Sequence, residues 1–127
     1  MAMRSPLAVA RGLGSAKSGT EHWWAQRLTA VALVPLTLWL VFSLTGLVGA
    51  DHATLVAWLS SPLRLALLIL FLVAVFHHAA LGLQVVIEDY IHDEGPKLVV
   101  MLATKFLLWL LAAVAVLSAV RTSFLGG

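Results

Sequence analysis

Charge disappears from this chain in three long stretches. Residues 28–50, LTAVALVPLTLWLVFSLTGLVGA, carry no charged side chain; residues 65–87, LALLILFLVAVFHHAALGLQVVI, carry none; and residues 98–120 carry Lys105 alone. As a helix, each run reaches about 34 Å at ~1.5 Å per residue, against a hydrocarbon core of about 30 Å. The pattern therefore predicts an all-α integral membrane protein with three transmembrane helices. Trp23 and Trp24 precede the first span as interfacial anchors, and Pro35 inside it removes a backbone donor and predicts a local bend. Lys105 sits near the start of the third run, where its long stem can carry the ammonium back towards the headgroups. Between the second and third runs lies EDYIHDEGPK, in which Gly95 and Pro96 are expected to stop one helix and let the next begin. The first connection, Asp51 to Arg64, is apolar around Trp58 and is expected to lie on the membrane surface.

Composition agrees with the pattern. Hydrophobic residues make up 61% of the chain, charged residues 11%, and the mean hydropathy is +1.01. A soluble domain is nearer half apolar and a quarter charged. The reading is one membrane domain, residues 23–127, behind a basic tail, residues 1–22, that contains Arg4, Arg11 and Lys17. The tail has no apolar core of signal-peptide type, so the first span is expected to serve as its own insertion signal. Basic residues Arg4, Arg11, Lys17, Arg27 and Lys97 flank one side of the spans, and Arg64 and Arg121 the other. The positive-inside rule then places the N-terminus and EDYIHDEGPK in the cytoplasm or its equivalent. A net charge of +2 suits anionic lipid headgroups, and nothing in the sequence suggests nucleic-acid binding. With no cysteine, the chain holds neither a thiolate-bound iron–sulfur cluster nor a disulfide. Any metal must be held by histidine or carboxylate.

The second run contains that chemistry. Ionisable residues at bilayer depth cost at least about 2–3 kcal/mol on insertion scales, so His77 and His78 need a partner or a function. At 100° per residue His78, Gly82, Val85 and Asp89 share one face, while His77 points about 100° away. A glycine one turn from a histidine leaves a hollow in which a large planar group can lie against the backbone. Tyr90 follows Asp89 at the membrane surface, about 16–18 Å along the axis from His78. Each feature also has a plainer explanation. His78 can bond a neighbouring helix, Gly82 can serve close helix packing, and Asp89 and Tyr90 can be an ordinary helix end at an interface. Arg27 can be a simple positive-inside anchor. His77 reads as a packing or hydrogen-bonding neighbour, and His22, His52 and His92 as solvated interface residues.

The string HAALGLQVVIEDY, His78 to Tyr90, resembles the His-x3-Gly-x6-Asp-Tyr signature of the D-type hydrophobic membrane anchor of succinate dehydrogenase. The segment SAKSGTEHWWAQRLTAVALVPL, Ser15 to Leu36, is similar to the start of bacterial members, and the three-span layout covers nearly the whole chain. The resemblance implies a place in a multi-chain helical bundle of a bacterial inner membrane, with the mitochondrial inner membrane as the alternative. It implies that His78 is an axial ligand of haem b, shared with a second hydrophobic anchor of cytochrome b type, and that Gly82 packs the haem. It implies ubiquinone as substrate, with Tyr90 bonding a quinone carbonyl and Asp89 supporting that environment. Arg27 would stand near the haem propionates or the quinone pocket. FAD and iron–sulfur clusters would reside on a flavoprotein and an iron–sulfur partner subunit, so the chain is not catalytic alone. A haem-free structural anchor, or the anchor of a related fumarate reductase, is the alternative reading.

Overall fold

Within a bilayer no water is available to bond a free N–H or C=O, so each apolar run must close its hydrogen bonds on itself as a helix. The computed structural model describes residues 13–126, with side chains from Thr20 onward. Arg4 and Arg11 of the basic tail lie outside the described residues, as does the side chain of Lys17. The described residues form four helices: α1 (Leu13–Leu47), α2 (His52–Leu59), α3 (Pro62–Tyr90) and α4 (Glu94–Leu125). Among the described residues three segments are long and apolar enough to cross a membrane, Thr20–Leu47, Pro62–Tyr90 and Glu94–Leu125, matching the three predicted spans. Pro62–Tyr90 and Glu94–Leu125 outrun their uncharged stretches at both ends, while the first helix begins earlier than its run and ends at Leu47, before the run does. The 29 residues of α3 reach about 44 Å, so its ends stand in the headgroup layers beyond a core of about 30 Å.

Local chemistry sets where the helices stop. Past the end of α1, Gly49 takes φ 77°, the left-handed conformation that closes a helix without a Cβ clash. Asp51 caps α2, accepting a hydrogen bond from the Thr54 N–H at 2.9 Å. Pro62 opens α3, where its missing N–H would have had no partner in any case. One expectation is corrected at the next turn. Gly95 and Pro96 do not stop α3, which ends at Tyr90 with Ile91 already extended; they lie inside the first turn of α4, which starts at Glu94. A proline costs nothing there, because the first N–H groups of a helix lack intrahelical acceptors. The connection expected to lie on the surface contains the short helix α2, whose Trp58 stacks on Trp39 of α1 at 5.7 Å between centroids.

α3 is the central helix, packed against α1 on one side and α4 on the other, while α2 leans on α4 and α3. Contacts between side chains give the spans an up-down-up order. At one end α2 is latched to the end of α4: His52 Nε2 lies 2.8 Å from the Gly126 carbonyl oxygen, and the Ser123 hydroxyl donates to the Leu59 carbonyl at 2.9 Å. Near the other end Thr29 of α1 meets His78 of α3. Only Leu59, Ala80, Ile87 and Ala112 are buried among the described residues, and large apolar side chains are exposed along all three spans. Small residues at two of those four positions let the helix backbones approach. The remaining apolar surface suits lipid and neighbouring helices.

Candidate functional site

The two adjacent histidines of α3 diverge as helical geometry requires. His77 turns to α4, its ring 6.0 Å from that of Trp109 and tilted by 35°. His78 turns to α1, with Nδ1 3.0 Å from the Thr29 hydroxyl oxygen. Both rings are half-buried. The same hydroxyl lies 2.8 Å from the Ala25 carbonyl oxygen and 3.1 Å from that of Gln26, one turn earlier in α1.

Beside His78 opens a cavity of about 420 Å³, lined by His22, Trp23, Gln26, Arg27, Ala30 and His78. Arg27 and His78, distant in sequence, thus share one site. The Arg27 guanidinium carbon also lies over the Trp23 ring, 5.0 Å from its centroid. His22 departs from its expected role as a solvated interface residue. It is half-buried, and its Nε2, like Oε1 of Gln26, is enclosed without a hydrogen-bond partner among the described residues. Enclosed polar atoms of that kind normally find a partner, so the cavity wall carries bonding capacity that no described residue uses.

Gly82 faces open space, since a Cβ built there would meet nothing within 4 Å. Among the described residues, therefore, nothing packs closely against it. Asp89 and Tyr90 lie at the exposed end of α3 and take no part in the His78 cavity; Tyr90 is 80% exposed. Their neighbour Glu88 accepts a hydrogen bond from Gln84 at 3.2 Å. Among the described residues no three His, Asp or Glu side chains gather into a metal-binding cluster. The cavity wall holds two histidines, His22 and His78, and no third such side chain joins them among the described residues.

Sequence reasoning passed over Gln26 and Thr29 and misjudged His22. A signal for all three exists. His22, Gln26 and Thr29 follow each other at i, i+4 and i+7, a polar stripe on one face of α1 leading into an apolar span. It is visible only when α1 is known to begin well before Leu28, as it does.

Residues 1–112 match the family model described as succinate dehydrogenase/fumarate reductase transmembrane subunit. A relative from Rickettsia bellii, named succinate dehydrogenase hydrophobic membrane anchor subunit, is 38% identical over 102 residues, covering 80% of this chain and 82% of its own. One of the same name from Paracoccus denitrificans is 31% identical over 117 residues, 92% of this chain and 90% of its own. A succinate dehydrogenase membrane anchor subunit from Reclinomonas americana is 34% identical over 86 residues, 65% of this chain and 72% of its own.

Proposed function

The chain belongs to the succinate dehydrogenase/fumarate reductase transmembrane subunit family, and from that membership we propose that it is the hydrophobic anchor of a succinate dehydrogenase, supplying one haem ligand and part of a ubiquinone site. The observation that carries the haem assignment is the cavity beside His78. The residues present fit the group: an imidazole whose Nδ1 is engaged by Thr29, open space at Gly82, and a wall holding Arg27 with atoms of His22 and Gln26 that have no partner among the described residues. His78 would bind the iron, and Arg27 would meet the negatively charged propionates. When bound, haem b supplies a one-electron carrier between the helices.

The remaining roles divide by depth. Tyr90 and Asp89 stand about 16–18 Å along α3 from His78, at the membrane rim. There the Tyr90 phenol can donate to a quinone carbonyl as negative charge develops on it, with the other walls of the pocket coming from partner chains. Succinate chemistry lies outside this subunit, whose sequence has no cysteine for clusters and no glycine-rich dinucleotide motif. The partners are a second hydrophobic anchor, an iron–sulfur subunit and a flavoprotein, assembled on the cytoplasmic face of a bacterial inner membrane. A cysteine introduced at Asp93 should be labelled from that face; labelling only from the opposite face would reverse the orientation.

The absorbance spectrum of the purified complex tests the haem assignment against the haem-free alternative. His78→Ala should remove or alter a low-spin b-type spectrum, and His77→Ala, whose ring turns to Trp109, should leave it in place. A wild-type complex without haem, or the opposite order of the two variants, would overturn the assignment.

A further inference from the structure

We propose that Thr29 is a positioning residue that fixes the tautomer of His78, holding the proton on Nδ1 and leaving the Nε2 lone pair free to bind a metal. The inference rests on the reading of His78 as a haem ligand, and it follows from counting protons at one hydroxyl. Three groups surround Thr29 Oγ1: the Ala25 carbonyl oxygen at 2.8 Å, the Gln26 carbonyl oxygen at 3.1 Å and His78 Nδ1 at 3.0 Å. A carbonyl oxygen only accepts, and a threonine hydroxyl has one proton to give and two lone pairs to receive with.

Two assignments are possible. If His78 Nδ1 were an acceptor, the single hydroxyl proton would have to turn away from the backbone carbonyls of α1 and point at the ring. If Nδ1 carries a hydrogen, the hydroxyl donates backwards to the carbonyls, the usual local bond of a threonine within a helix, and accepts from the imidazole. The second assignment satisfies all three contacts at once. It is also the protonation that ligation needs, since a neutral imidazole with its hydrogen on Nδ1 offers Nε2 as the metal-binding nitrogen. Ligating histidines commonly donate their other N–H to an acceptor that orients the ring and raises its basicity. Thr29 is placed to be that acceptor, held on α1 while the ligand rides on α3.

A threonine that merely joined α1 to α3 would have no effect on the electronics of the iron. An acceptor on Nδ1–H would, because a more basic ligand favours the oxidised iron and lowers the midpoint potential. The test uses the whole membrane complex with its partner subunits, carrying Thr29→Val, which keeps the shape and deletes the hydroxyl, or Thr29→Ser, which keeps the hydroxyl. Haem content, the low-spin spectrum and the midpoint potential are measured for each, alongside wild type and His78→Ala. The expected result is an upward shift of potential in Thr29→Val and a return to the wild-type value in Thr29→Ser. Succinate oxidation by a soluble acceptor should be unchanged in both. If Thr29→Val instead loses haem, Thr29→Ser must recover both haem and potential; a serine variant that also loses haem overturns the proposal. Unchanged potential in a haem-replete Thr29→Val overturns the role of Thr29 and leaves His78 ligation standing. Haem missing from the wild type, or retained unaltered in His78→Ala, refutes the ligand assignment itself, and the Thr29 role falls with it.

Discussion

Tyr90 is the last residue of α3 and is largely exposed, so its ring contributes little to the packing of this chain. Tyr90→Phe should therefore fold and assemble normally while losing the phenolic donor. A hydrogen bond to a charged group is worth about 1.5–3 kcal/mol, which corresponds to roughly a 10- to 100-fold loss of rate if it forms in the transition state. Quinone reduction should slow by that order, with succinate oxidation by an artificial soluble acceptor retained. Wild-type quinone reductase rates in the variant would remove Tyr90 from the site. At this scale the divergence of His77 and His78 was legible because a helix fixes the angle between neighbours. The partner of His78 was not, since Thr29 lies on another helix and no local pattern states which two faces will meet. His22 was misread for a related reason: a histidine ahead of an uncharged run looks solvated until its helix is known to pack against another.

At the scale of elements, runs without charge reported which helices are long and apolar enough to cross a membrane, and the second and third of these extend past their runs at both ends while the first stops at Leu47 within its run. Gly95 and Pro96 mark the neighbourhood of a break correctly and its position wrongly, since the same pair that disfavours a helix interior is tolerated in a first turn. The helix α2 was hidden because eight residues give no reliable period. Its start depends on Asp51, whose carboxyl is held below the usual carboxylate range, chiefly by hydrogen bonding from Thr54. Since the folded value is depressed, the capping contribution is present above the unfolded value of about 3.9 and is lost as pH falls through the folded one. Amide protection across residues 52–59 should be flat above about pH 4 and decline below it. Asp51→Asn, which keeps an acceptor, should abolish that decline, and Asp51→Ala should reduce protection at every pH. A wild-type helix whose protection does not change at acid pH would show that the cap is dispensable.

For the whole molecule, the proposed haem ligation by His78 raises the question of a second ligand, and the positions of the five histidines bear on it. His77 faces Trp109 on the other side of α3 from Thr29. His52 bonds the Gly126 carbonyl at the opposite end of the molecule, and His92 lies exposed beyond the end of α3. His22 shares the cavity with His78 but precedes Thr29 by two turns of α1, about 10 Å along the axis. That offset along α1 argues against His22 as a second ligand for a group that His78 would hold. On the proposed reading of His78 as a haem ligand, a second histidine is expected from another chain, and the exposed apolar spans leave room for such a chain to pack. Expressed alone, this subunit should give no stable bis-histidine b-type spectrum, and co-expression with its partner anchor should restore one. His22→Ala in the co-expressed complex should keep the low-spin spectrum, because it removes a polar contact and not a ligand. If the isolated subunit forms a bis-histidine haem that His22→Ala abolishes, then α1 bends or shifts enough to bring both ligands from one chain, and the haem does not join two anchors.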